Sequence, residues 1–193
     1  MVGNYTLAKR AGWIAIVCGC FQILYGILSI FFPYSSDTYY GWDEALWIVA
    51  SSGMAFAIIG ILALDAGKPR WLAWSGGIFA LVGIPIRIVA SVIFIMQSSW
   101  DPIPLILLSI LLLLGGMAAV GIALLRGDKI NGWQAWTPIL VSLTGLVVTV
   151  LYSVSLFIHF IALGLWGLTW MLVGYVVITH VSKHEAKPKL VTA

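Results

Sequence analysis

Long apolar stretches, each closed by a short cluster of turn-forming or charged residues, follow one another along this chain from about residue 12 to residue 181. About twenty apolar residues suffice for a helix to cross the hydrocarbon core of a bilayer. Boundaries at Gly, Pro and charged positions predict six such spans, near 12–32, 45–64, 71–96, 103–125, 136–158 and 163–181. Between them lie 33–44, 65–70, 97–102, 126–135 and a very tight link at 159–162. Connections this short make consecutive helices antiparallel neighbours. The pattern therefore predicts an all-α polytopic membrane protein, a six-helix bundle forming one integral membrane domain over 1–193.

Composition narrows this further. Of 193 residues, 62% are apolar and 9% charged, and the mean hydropathy is +1.07, more than a soluble domain carries. Six spans use up the length and leave no room for a separate soluble or nucleotide-binding domain. The charges are sorted. Lys9 and Arg10 precede the first span, Lys68 and Arg70 follow the second, Arg126 and Lys129 follow the fourth, and Lys183, Lys187 and Lys189 follow the sixth. The opposite connections carry Asp37, Asp43, Glu44 and Asp101 and no Lys or Arg. The positive-inside rule then predicts a multi-pass protein of the plasma (inner) membrane with both termini cytoplasmic. The net charge of +3 is divided among membrane-edge clusters, so it marks topology, and no nucleic-acid partner is expected.

Trp13, Trp42, Trp47, Trp71, Trp74, Trp100, Trp133 and Trp136 fall near span ends, as interfacial belt residues do. Trp166 and Trp170, one turn apart in the sixth span, either pack a helix interface or line a pocket. Asn4-Tyr5-Thr6 has the form of a glycosylation acceptor, which a cytoplasmic N-terminus never presents. Cys18 and Cys20 point to opposing helix faces and can form neither a disulfide nor a metal clip together.

The chain also echoes itself. Gly53-Met54-Ala55 and Gly60-Ile61 return as Gly116-Met117-Ala118 and Gly121-Ile122. Trp71, Ala73, Trp74, Leu81, Gly83, Ser91 and Val92 return as Trp133, Ala135, Trp136, Leu143, Gly145, Ser153 and Val154. The matched spans share polarity, so this is a parallel repeat of helical hairpins, unlike the inverted repeats of many carriers. Its small residues are expected at helix contacts, where lipid supplies no hydrophobic drive and close approach decides association. The run from Gly12-Trp13 to Gly26-Ile27-Leu28-Ser29-Ile30-Phe31-Phe32-Pro33, the acidic loop after it, then Gly60-Ile61, a basic loop, Trp74 and Gly76-Gly77-Ile78, resembles the HdeD-type acid-resistance membrane proteins. The resemblance implies six spans built from two-helix units and an accessory role in acid stress, and it supplies no catalytic residues. Arg87 and the Trp-rich outer loop depart from that family's pattern.

Arg87 is the basic residue outside the clusters, sixteen positions after Trp71 and about 24 Å along its helix at 1.5 Å per residue. An arginine at a span centre costs about 2.5 to 3.5 kcal/mol to insert, so a partner is expected. Asp37, Asp43, Glu44 and Asp101 are on the same side, and Glu44 or Asp43, from the neighbouring second span, is favoured. Tyr39, Tyr40, Trp42, Tyr152 and His159 complete a candidate outward-open pocket, with His159 expected two turns above Tyr152 on the fifth helix. Gln22, Ser51, Ser52, Thr144 and Thr149 are the other deep polar residues.

No span carries a Lys, Asp or Glu at mid-depth or paired histidines for a haem, so neither a cofactor nor a metal is expected. Two functional readings follow. One is a non-enzymatic accessory or stress-associated factor acting through lipids, a homo-oligomer or a larger membrane complex. The other is a carrier or intramembrane enzyme that handles a lipid or a small anionic or amphipathic molecule around Arg87.

Overall fold

A computed structural model describes residues 4–32, 41–97 and 103–185. Six long helices are present: α1 (Tyr5–Phe31), α2 (Gly41–Ala63), α3 (Arg70–Gln97), α4 (Ile103–Leu125), α5 (Thr137–Tyr152) and α6 (Leu156–Glu185), with a short 3-10 turn, Gly132–Trp136, leading into α5. Among the described residues six segments are long and apolar enough to cross a membrane, the fifth, Gly132–Tyr152, taking in the 3-10 turn with α5. The chain is thus an all-helical, multi-pass membrane protein. Each helix packs on the next, α1 closes the ring against α6, and α2 reaches across to α6. We call the end holding Tyr5 and Glu185 the terminal end and the opposite one the far end.

Small residues set which helices touch most closely. Gly12, Gly19 and Gly26 recur every seven residues, about two turns, and so share one face of α1. A β-carbon on Gly12 would stand 2.9 Å from the Gly174 carbonyl oxygen, and one on Gly26 would stand 2.7 Å from that of Phe160. Both are closer than real side chains come, so α1 and α6 meet backbone to backbone. The α3/α4 pair is built the same way, with Gly76 facing Gly116 and Gly83 facing Ser109.

At the terminal end, ion pairs and hydrogen bonds join connections distant in sequence. Lys9 meets Glu185 at 2.7 Å, Lys68 meets Asp128 at 2.6 Å, and Arg70 meets Asp65 at 2.9 Å. Lys129 donates to the Asp65 carbonyl at 2.9 Å, and the Lys68 backbone N–H donates to the Ala123 carbonyl at 2.8 Å. These last contacts and the Lys68–Asp128 pair clasp the α2–α3 connection to the α4–α5 connection. The Lys68 ammonium, by hydrogen bond and charge, holds the exposed Asp128 carboxyl below its ordinary value. Asn4 has a structural use: its side-chain oxygen accepts from the Leu7 N–H at 3.1 Å, capping α1.

The last two spans differ from the sequence expectation. The link placed at 159–162 lies at 153–155, so α5 stops at Tyr152 and α6 begins at Leu156. Ser153 and Val154 donate back to the Val150 and Leu151 carbonyls, and Ser155, in the N-cap position, offers its carbonyl to the His159 N–H at 2.9 Å. Serine favours that position. The reversal therefore needs neither Gly, Pro nor charge, which is why an apolar-run reading passes over it.

Candidate functional site

A cavity of about 390 Å³ opens inside the far half of the ring and takes lining residues from all six helices. Its walls differ in chemistry. Along α2, Glu44, Trp47, Ser51 and Met54 are spaced three, four and three apart, the interval that keeps side chains on one helix face. Across from them α4 contributes an apolar wall that includes Ile103, Ile106, Leu107, Ile110, Leu113 and Leu114. The space is amphipathic across its width.

Arg87 reaches into this cavity from α3, one turn beyond Ile84 and Gly83. Pro85 within the same helix offers no N–H, so the Leu81 carbonyl lacks its usual helical donor. The guanidinium is held on three sides. It meets the Glu44 carboxylate at 3.4 Å, it donates to the Ser91 hydroxyl one turn further on, and its central carbon lies 5.0 Å above the Trp47 ring. The ion pair brings α2 and α3 together, as sequence-adjacent antiparallel helices allow. Arginine placed over an indole face gains a cation–π attraction, and more so where water is excluded. Trp47 in turn stacks on Trp166 at 5.8 Å and tilts against Tyr25 at 5.9 Å.

Trp47 corrects its expected position in an interfacial belt: it is 8% exposed and belongs to the core. Trp13, Trp71, Trp74, Trp133 and Trp136, by contrast, stay exposed. Trp166 lines the cavity and donates its indole N–H to the Val141 carbonyl at 2.9 Å, whereas Trp170 is buried below it. Of the deep polar residues, Ser52, Thr144 and Thr149 bond back to carbonyls of their own helices. Ser51 and Gln22 do not: the Ser51 hydroxyl and both polar atoms of the Gln22 amide are buried without partners, as is the Trp47 indole N–H. A buried polar group left unsatisfied costs about 1–3 kcal/mol. Two of these residues, Trp47 and Ser51, line the cavity.

At the rim, Tyr152 and His159 meet edge to face with ring centres 5.1 Å apart. They come from different helices, Tyr152 ending α5 and His159 standing in the first turn of α6, which corrects their expected placement on one helix. His159 Nδ1 lies 2.9 Å from the Val148 carbonyl oxygen. A carbonyl accepts only, so Nδ1 carries a proton and donates it. Trp42 and Asp43 fall in the first turn of α2, with side chains outside the described residues, and Asp37, Tyr39, Tyr40, Trp100 and Asp101 lie outside them altogether. Trp47, Ser51 and the α4 wall were not singled out as site residues by sequence reasoning. The spacing of Glu44, Trp47 and Ser51 on one face carried the signal.

No family model matches the chain, and no curated protein or solved structure is similar to it at a significant level. The functional reading therefore rests on the residues themselves.

Proposed function

We propose that this protein binds an amphipathic molecule of no net charge in the far-half cavity, with the polar edge of the ligand along α2 and its apolar edge against α4. The observation that carries the reading is that two residues lining the cavity beside the Arg87–Glu44 pair, Trp47 and Ser51, carry buried polar groups without partners, the indole N–H and the hydroxyl. An indole N–H can only donate, so the ligand brings an oxygen acceptor. Arg87 and Glu44 offset one another, so a charged ligand would leave net charge in a poorly solvated space, at high cost. A cavity of about 390 Å³ lies within the range of small-molecule sites, roughly 300–1,000 Å³. The lysine and arginine clusters at the terminal end support a cytoplasmic placement of both termini in a plasma membrane, so that the cavity belongs to the outer leaflet.

The arrangement is suited to holding a molecule. The carboxylate in the cavity wall is committed to Arg87, and the imidazole at the rim is committed through Nδ1 to Val148. Lipid analysis of the protein purified in mild detergent tests the reading. The wild type is expected to retain a neutral amphiphile in stoichiometric amount, and Ser51→Phe, which fills the cavity beside Trp47, is expected to lose it. Identical lipid content in both, with both folded, would refute the proposal.

A further inference from the structure

The cavity is walled unevenly. Arg87 and Glu44 close the α2/α3 side, His159 bonded to the Val148 carbonyl closes the α5/α6 side, and Gly83 against Ser109 closes the α3/α4 side. Between α4 and α5 the glycine contacts and a side-chain hydrogen bond lie in the deeper half. There Gly121 packs on Ile139, Gly145 packs on Leu114, and the Ser142 hydroxyl donates to the Leu114 carbonyl at 2.8 Å. Carrying these antiparallel contacts outward sets Tyr152, the last residue of α5, level with the stretch of α4 from Pro104 to Leu108. The α3/α4 register sets Arg87 level with Leu105. Hence α5 ends at about the depth where Arg87 stands, while α4 continues to its first residue, Ile103.

Exposure follows the same division. The cavity-lining residues on this side are open to the outside of the bundle, Leu107 at 51% and Ile103 and Tyr152 each at 41%, whereas Ser51 on the opposite wall is at 2%. The wall is notched on this side, and the lip of the notch is Leu and Ile on α4 and, at the end of α5, the Tyr152 ring with Ser153 beside it.

Resting on the binding reading above, we infer that the ligand is a single-chain neutral amphiphile, such as a long-chain alcohol, that passes sideways between α4 and α5 from the bilayer leaflet at the far end. A lip made mostly of Leu, Ile and an aromatic ring faces hydrocarbon at little cost, whereas a water-borne ligand would be met by a more polar one. At about 390 Å³ the space is near the lower end of the range for small-molecule sites, roughly 300–1,000 Å³, which suits one chain better than a whole two-chain phospholipid. The head oxygen then meets the α2 stripe of Trp47 and Ser51, and the chain lies along Ile110 and Leu113.

The test uses the full-length protein in phosphatidylcholine vesicles, mixed with vesicles containing a diazirine-bearing long-chain alcohol, with labelled peptides mapped over time after brief illumination. Labelling is expected on the α2 peptide around Ser51 and the α4 peptide around Ile110. Leu107→Trp, which narrows the notch at an already exposed position, is expected to slow labelling about tenfold or more. Leu111→Trp, on the same helix but outside the cavity and 72% exposed, is expected to match the wild type. Wild-type rates in Leu107→Trp, with the cavity still labelled, would overturn the lateral route and leave the binding reading standing. An absence of label from both peptides in the folded wild type would overturn both.

Discussion

The Arg87–Glu44 pair gives a quantitative test of whether this part of the bundle is built to fold or to bind. At 3.4 Å the gross attraction between unit charges is about 5 kcal/mol for an effective dielectric near 20. The side chains are 16% and 14% exposed, so each has given up most of its hydration, which takes back several kcal/mol. Removing one partner strands the other: Glu44→Leu or Arg87→Leu should each destabilise by about 3 kcal/mol. Removing both, as Glu44→Leu with Arg87→Leu, strands nothing and relieves the insertion cost of arginine, so the double variant should unfold within about 1 kcal/mol of the wild type or be more stable. The coupling energy of the cycle is therefore expected at about 5 to 6 kcal/mol. It is measured by denaturant unfolding in mixed micelles, followed by tryptophan fluorescence and repeated with a size-exclusion check on each variant. On the binding reading the double variant is stable and no longer retains the neutral amphiphile. A coupling below about 0.5 kcal/mol, the level of additive independent sites, would show that the two charges are solvated separately and refute the geometry on which the site is built.

Other outcomes follow from single contacts. Gly116→Ala drives a methyl into the Gly76 carbonyl and the Ala80 N–H, both backbone atoms, and should destabilise the α3/α4 pair by about 1–3 kcal/mol. Gly115→Ala meets nothing within 4 Å and should gain up to about 1 kcal/mol from helix propensity, so equal thermal shifts for the two would refute the seam. Trp166→Phe keeps the ring stack on Trp47 and loses the bond to the Val141 carbonyl, an expected cost of about 0.5–1.5 kcal/mol by unfolding. For Asp128 the sign is set by its lowered carboxyl: the stabilisation is present above the ordinary carboxylate value of about 3.9 and disappears as pH falls through the folded value. The Tm difference between wild type and Asp128→Asn should thus be flat from about pH 5 to 8, shrink in stronger acid, and fall with added salt because both side chains are exposed. A difference that titrated near neutrality would contradict that assignment.

The fold was largely legible because the bilayer constrains sequence so strongly. Spans near 45–64, 71–96 and 103–125 lie close to α2, α3 and α4, since each is fenced by charge, Gly or Pro. The Ser153–Ser155 reversal was hidden because three residues complete it and its flanks are as apolar as a span interior. Arg87 and Glu44 stood out because a charge beside hydrocarbon is expensive and so must be placed for a reason. Trp47 did not, since an indole near a span end reads as a belt residue, and only packing shows it turned inward under the guanidinium. The apolar α4 wall was illegible for a different reason: leucines facing a cavity and leucines facing lipid are the same in sequence.

The clasp between the α2–α3 and α4–α5 connections fixes one extremity of the barrel and leaves the other without such a tie among the described residues. A rod secured at its base turns small angular changes into large displacements at its tip. With sixteen residues, α5 is a lever about 24 Å long, and roughly 5° of tilt about Thr137 carries Tyr152 through about 2 Å. Because three residues join that tip to α6 and His159 bonds to the Val148 carbonyl, such a swing would carry Tyr152 and the imidazole beside it as one part.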